Sequence, residues 1–341
     1  SRPRSRGVSA TITLPRSTPS MVTPPRYNEP GKTWFVTIEA IDRQMRFVPT
    51  KPVRDSIDFL FALLITKYGL LCHEFLWMSN HAHLVVTDPQ GRLSAFLRDF
   101  DSRLSKQLNA MRGTTGSNFA RDPSIVAIAD AGAVIKQAVY TSCNAVKAGL
   151  VARLSQWKGS SSLNMRYGET ATFARPKVGM WAETRSSSVV DGKHTSRGRL
   201  KYRGRSKTPE TASLTLVRPD IERHLSAEQL RETILAKAEA EAEQLRQTRK
   251  AAGKKVVGWR NVVAASYRDV AASRRAYFQT RPRVAATDDA KRDALLDKIT
   301  SFEIRYRAAV RAFETNRNVV FPYGTLQMVE RHGVRCETGP P

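Results

Sequence analysis

The chain has 341 residues, with 56 Lys or Arg against 31 Asp or Glu and a net charge of +25. At 41% hydrophobic residues it has enough apolar material for a sizeable core, which excludes a wholly disordered chain. The three cysteines, Cys72, Cys143 and Cys336, lie far apart, which excludes a disulfide scaffold and a cysteine zinc cluster. That cysteine usage leads us to expect a reducing, cytoplasmic location. A positive surplus this large points to a polyanionic partner, most simply nucleic acid, with an ordinary solvated basic surface as the plain alternative. Apolar runs such as FLFALLI (59–65) are too short to span a bilayer. Residues 1–29 are basic, carry no apolar signal core and read as a disordered arm.

In chain order, TWFVTIEAID (33–42) is rich in β-branched and aromatic residues and predicts a strand. KPVRDSIDFLFALLITKYG (51–69) spaces Val53, Ile57, Leu60 and Leu64 as a helix does, with Pro52 at its start and Gly69 at its stop. LLCHEFLWM (70–78) and HAHLVVTD (81–88) predict two strands joined by a tight turn at Ser79-Asn80. RLSAFLRDFDSRLSKQLNAMRG (92–113) predicts an amphipathic helix burying Leu93, Phe96, Leu97, Phe100, Leu104 and Leu108. SIVAIAD (124–130) predicts a fourth strand and AGAVIKQAVYTSCNAVKAG (131–149) a further helix. The order β-α-β-β-α-β-α begins with the split βαβ, ferredoxin-like unit, an α+β fold whose antiparallel sheet carries helices on one face and leaves the other for a site. Beyond about Ser162 the texture changes. Residues 163–225 read as a basic, largely irregular linker, and the run KHTSRGRLKYRGRSK (193–207) holds seven Lys or Arg. Residues 226–341 read as an α-helical region, with a long helix over 226–255 opened by a Ser226/Gln229 capping box and further helix over 256–279 and 287–316.

WMSNHAHLVV (77–86) places two of only six histidines one residue apart on a strand. Strand side chains alternate, so His81 and His83 share one face while Ala82 and Leu84 turn into the core. Two imidazoles side by side make part of a metal site and need at least one further ligand; half-exposed strand histidines are the plain alternative. On the 131–149 helix, Lys136, Tyr140, Asn144 and Lys147 recur along one face, opposite Val134, Ile135, Ala138, Val139 and Val146. That face offers a phenol, an amide and two ammonium groups. The spacing alone fits equally a boundary tyrosine, a C-terminal helix Asn and solvated lysines.

Taken together these segments resemble a known family. WMSNHAHLVV resembles the histidine-hydrophobe-histidine strand of the HUH single-strand endonucleases, and in particular of the REP-associated tyrosine transposases, relatives of the small insertion-sequence tyrosine transposases. YTSCNAVKAGLV (140–151) looks like their tyrosine helix, of the form Y-I-x-x-N-P-V-x-x-G-L-V, and QWKGSSS (156–162) like the W-x-x-S-S segment that closes it. The resemblance covers about residues 30–162, and VVFPYGTLQMVERHG (319–333) is similar, less diagnostically, to the ending of long members. Ser79 and Ala145 stand where the family pattern has Pro, and Ala82 fills the hydrophobe position. Without Pro at 145 the helix is expected to run on past Asn144.

The resemblance implies a ferredoxin-like HUH domain that cleaves and rejoins single-stranded DNA beside palindromic hairpins. Tyr140 would attack a phosphate to form a 5′-phosphotyrosine, and His81, His83 and Asn144 would hold Mg²⁺ or Mn²⁺. Histidine-rich ligation by itself suits Zn²⁺ equally. Lys136 and Lys147, Arg98, Arg103 and Lys106 on the 92–113 helix, and Arg197, Arg199, Arg203 and Arg205 in the basic run are candidate DNA contacts, as monomer or homodimer. His73, His194, His224 and His332 read as structural or surface residues. Aromatic residues are only 8%, so extensive base stacking is not expected. Other readings of the same residues are a replication initiator or relaxase, a catalytically inactive DNA-binding protein, and a structural zinc module.

Overall fold

The computed structural model describes residues 27–120, 122–182, 208–271, 282–325, 328–329 and 332–339. Residues 1–26 of the basic arm and the 193–207 run, with Arg197, Arg199, Arg203, Arg205 and His194, lie outside these described residues, whereas Tyr27 and Asn28, expected within the disordered arm, are buried. The first seven elements follow the predicted order: β1 (Lys32–Glu39), α1 (Lys51–Tyr68), β2 (Leu71–Trp77), β3 (His81–Asp88), α2 (Leu93–Arg112), β4 (Ser124–Ile128) and α3 (Ala131–Lys147). Then come β5 (Thr170–Ala174), β6 (Thr211–Thr215), α4 (Ala227–Ala251), α5 (Trp259–Ala264), β7 (Val284–Ala285), α6 (Asp289–Thr315), β8 (Val320–Phe321) and β9 (Arg335–Cys336).

The fold is mixed, with a five-stranded sheet in the order β2-β3-β1-β4-β7. The first four strands pair antiparallel. The expectation of a wholly antiparallel sheet is corrected at one edge, where β7 joins β4 in parallel. Its two residues, Val284 and Ala285, are too short a signal for periodicity to register.

Local chemistry sets the helix ends. Pro52 sits in the first turn of α1, and Gly69 ends it at φ 64°, a left-handed conformation that suits Gly. α1 and α2 pack on one face of the sheet, against Val36, Ile38, Ala82, Leu84 and Val86. The six apolar residues predicted along α2 are all buried there. α3 lies against the other face, where Phe35, Val85, Val126 and Ile128 meet its Ala133 and Val134. Asp130 caps α3 by accepting from Ala133 N–H, and it also accepts from the hydroxyl and N–H of Thr287 and the N–H of Asp288, tying β4 to the start of α6. Burial alone would raise this carboxyl, but those hydrogen bonds outweigh it and hold it at about 2. Ala145, where Pro would break the hydrogen-bond ladder, leaves α3 free to run on to Lys147.

Residues 163–225 contain a paired hairpin-like ribbon, β5 with β6, packed against α1. The 256–279 segment is helical only over α5 among its described residues. The 287–316 expectation corresponds to α6. α4 opens with the reciprocal Ser226/Gln229 capping box. Its Leu230, Ile234 and Ala238 are completely buried, and α4 packs along α3, where Cys143 Sγ lies 3.0 Å from Ala238 O. Among the described residues no helix is long and apolar enough to cross a membrane.

Candidate functional site

The antiparallel register of β1 and β3 sets Thr37 opposite His83 and Glu39 opposite His81. Alternation then turns Phe35, Thr37, His81 and His83 toward α3. The two imidazoles lie together, with ring centroids 4.9 Å apart. His83 is 4% exposed and stacks on Phe35 at 5.3 Å with a 10° interplanar angle. Tyr140 arrives from α3 and meets His83 edge-on, centroids 5.2 Å apart, and Phe35 at 5.8 Å. The phenol is half-buried, so its ring is fixed while its surroundings stay open to solvent. Lys147, two turns further along α3, holds its ammonium 4.5 Å from the Tyr140 ring centroid.

The Nδ1 atom of each imidazole is engaged by a neighbouring side-chain oxygen. His81 Nδ1 lies 2.7 Å from Asn80 Oδ1, and His83 Nδ1 lies 3.0 Å from Thr37 Oγ1. An amide oxygen only accepts, so Nδ1 of His81 carries the proton and Nε2 bears the ring's lone pair. Fixing one ring nitrogen to orient the other is what a metal-ligating histidine requires. Asn144 follows Tyr140 by one turn and is 5% exposed, and its Nδ2 has no hydrogen-bond partner among the described residues. No group of three His, Cys, Asp or Glu able to hold a metal occurs among the described residues. Two imidazoles alone make a sparse donor set, and an ion held there would need oxygen ligands from elsewhere.

The other predicted residues fall in three places. Lys136 is exposed on α3. Arg98 and Lys106 are exposed on α2, and Arg103 pairs with Asp99 at 2.7 Å. All three α2 residues lie across the sheet from Tyr140, so the structure does not bring them to the tyrosine face. His73 stands at a β-bulge of β2, bonded to Val217 O and Thr87 Oγ1, each at 2.8 Å. A carbonyl can only accept, so Nδ1 carries the proton and Nε2 accepts from Thr87.

Burial pushes the His73 imidazole down to about 4. Below about pH 6.5 the unfolded chain takes up a proton that the folded one refuses. Stability should therefore fall as pH drops from about 6.5 to about 4, by roughly 3 kcal/mol in total. In urea melts, the wild-type loss between neutral pH and pH 4 should exceed that of His73→Gln by most of this amount.

The QWKGSSS segment runs along the free edge of β2. Trp77 N–H donates to Ser160 O, Ser162 N–H donates to Phe75 O, and Ser161 bridges Leu76. Ser160 Oγ donates to Asp58 on α1, whose carboxyl burial pushes up to about 6. Ser162 Oγ and Ser142 Oγ both donate to Glu74, which is fully buried. The opposite oxygen of Glu74 receives Arg231 Nη1 from α4 at 2.5 Å. Sequence reading missed Thr37, Asn80, Glu74 and Arg231. Thr37 was within reach, because the split βαβ order puts β1 beside β3 and on one face; Arg231 was not, since one Arg in a long charged helix looks like its neighbours.

No protein-family model matches the chain, and no curated protein does. Among solved structures it is similar to the REP-associated tyrosine transposase bound to a REP hairpin, at 19% identity over 42% of this chain and 82% of that one, with a TM-score of 0.36.

Proposed function

We propose that the chain is a DNA transposase of the tyrosine HUH type, a single-strand endonuclease that cleaves and rejoins DNA beside hairpins through Tyr140. One observation carries this: Tyr140 of α3 packs edge-on against His83 of β3, with His81 alongside, uniting motifs far apart in the chain. The strand order β2-β3-β1-β4 with antiparallel pairing supports the ferredoxin-like reading of this part. His81, His83 and Asn144 would hold Mg²⁺ or Mn²⁺, which supplies Lewis-acid polarisation of the scissile phosphate and charge neutralisation.

In the proposed reaction the Tyr140 hydroxyl oxygen attacks phosphorus in line with the leaving oxygen. The P–Oη bond forms, the P–O3′ bond breaks, the phenol proton passes to solvent, and the departing 3′ oxygen takes up a proton. A phenol with pKa near about 10 is a weak nucleophile at neutral pH. Lys147 places positive charge against the ring where negative charge develops. Phe35 and His83 fix the ring so that little orientation is left to arrange during attack. The phosphotyrosine is itself a phosphodiester, so a second 3′-hydroxyl reverses the step and joins strands without ATP.

The test is incubation of wild type and Tyr140→Phe with labelled single-stranded hairpin DNA and Mg²⁺ or Mn²⁺, read on a denaturing gel. Wild type should yield cleaved strand and a covalent protein–DNA band. Tyr140→Phe should yield neither, a loss of at least about 10³-fold, while binding the same DNA. Binding without cleavage by either protein would favour the catalytically inactive reading.

A further inference from the structure

Away from Tyr140, three arginines from three parts of the chain surround one tyrosine ring. Arg112 ends α2, Arg46 lies in the loop after β1, and Tyr267 and Arg268 lie beyond α5. The guanidinium carbons of Arg112, Arg268 and Arg46 stand 4.5, 5.3 and 5.6 Å from the Tyr267 ring centroid. Arg268 Nε also donates to Tyr267 Oη at 3.1 Å. Arg112 donates to Arg46 O at 2.6 Å and to Asn118 Oδ1 at 3.2 Å, which fixes its fork. Among the described residues none of the three pairs with a carboxylate, and the adjacent Asp269 accepts from Ser266 N–H instead.

Three like charges around one ring repel each other, and burial deepens the cost. Burial, then the charge of Arg46, push the Arg112 guanidinium down to about 10. Among the described residues Arg46 Nε is buried with no hydrogen-bond partner. Apolar packing does not explain the docking, since Val270, which bridges Gln44, is 58% exposed. Backbone bonds hold it: Met45 N–H to Asp269 O at 2.8 Å and Ala271 N–H to Arg43 O at 3.2 Å. The same loop donates Ala40 N–H to Asn80 O and Phe47 N–H to Ser79 O, gripping the turn that leads into His81.

We infer that Arg46, Arg112 and Arg268, gathered on Tyr267, form a seat for a backbone phosphate of the bound strand, beside the His81 end of the sheet. Planar guanidinium forks match phosphate oxygens, and an anion removes the mutual repulsion. The inference rests on the chain being a DNA-binding protein and is independent of any chemistry at Tyr140.

The test is the salt dependence of binding of the full chain to a labelled oligothymidylate of about 20 nucleotides, longer than a common single-strand footprint. Each lost phosphate contact lowers the slope of log K against log salt by about 0.7 on single strands. Arg46→Gln with Arg268→Gln, which removes two of the three guanidinium groups from the one-phosphate seat, should lower it by about 0.7, and Arg268→Gln alone, an exposed site where misfolding is not at issue, by part of that. Arg268→Lys, which keeps the charge, should retain the wild-type slope. An unchanged slope in both Gln variants would overturn the seat, even if affinity fell through packing. Stabilisation of wild type by inorganic phosphate, lost in Arg268→Gln without any change of slope, would mark a free-anion site and overturn the strand reading. A reduced slope in a protein that never forms a Tyr140 adduct would uphold the seat and sink the cleavage reading. Failure of wild type to bind the oligonucleotide at all would overturn both.

Discussion

Arg231→Met should destabilise the protein by about 3–5 kcal/mol, because it strands a fully buried carboxylate. Glu74 has no exposure, and without Arg231 its side-chain hydrogen-bond partners among the described residues are the hydroxyls of Ser142 and Ser162. Arg231 also donates Nε to Met165 O at 3.0 Å and Nη2 to Ser162 O at 2.5 Å, so those carbonyls lose their donors as well. The pair itself contributes little net stability, since both charges left water to form it; what costs is leaving one alone. Glu74→Leu with Arg231→Met should therefore recover most of the loss, and denaturant melts of the two single variants and the double variant measure this directly. The cluster joins β2, α3, the QWKGSSS segment and α4, so its failure also loosens the helix that carries Tyr140.

His81→Ala should cost about 10³-fold or more in metal-dependent cleavage with little change in folding stability. His81 is half-exposed at the start of β3, where it meets Asn80 and the ring of His83. His83 is a poorer probe because it is packed between Phe35 and Tyr140, and truncation there opens a cavity as well as removing the proposed ligand. Titration of Mn²⁺ into His81→Ala should show weakened binding, and an unchanged melting curve separates this from a structural zinc module, in which loss of metal unfolds the chain. Equal Mn²⁺ affinity in variant and wild type would remove the histidines from the metal site.

Where sequence spoke plainly, it did so through period and punctuation. Val53, Ile57, Leu60 and Leu64 repeat at helical spacing between Pro52 and Gly69, and α1 occupies Lys51–Tyr68. The alternation of HAHLVV sent Ala82 and Leu84 into the core and both histidines to the opposite face. The helical spacing of Tyr140 and Lys147 likewise put the two groups in contact. What stayed hidden depends on long-range partners. β7 is strand because β4 offers it an edge, and β5 and β6 are strands because they pair with each other across residues 175–210. The polar texture after Ser162 suggested a linker and an appendage, yet α4 is bound to α3 through alanines, Leu230 and Ile234, residues too sparse to announce a buried face. Arg46, Arg112, Tyr267 and Arg268 gave no motif because chain separation, not spacing, brings them together.

The most direct test of the account is to trap the wild-type protein on single-stranded hairpin DNA with Mn²⁺, digest it with trypsin and nuclease, and locate the nucleotide by mass spectrometry. Trypsin cuts after Lys136 and Lys147, so Tyr140 lies in the peptide QAVYTSCNAVK, residues 137–147. A nucleotide mass on Tyr140 in that peptide, absent from Tyr140→Phe, is the predicted result. An adduct on another residue, or cleavage that persists in Tyr140→Phe, would contradict it.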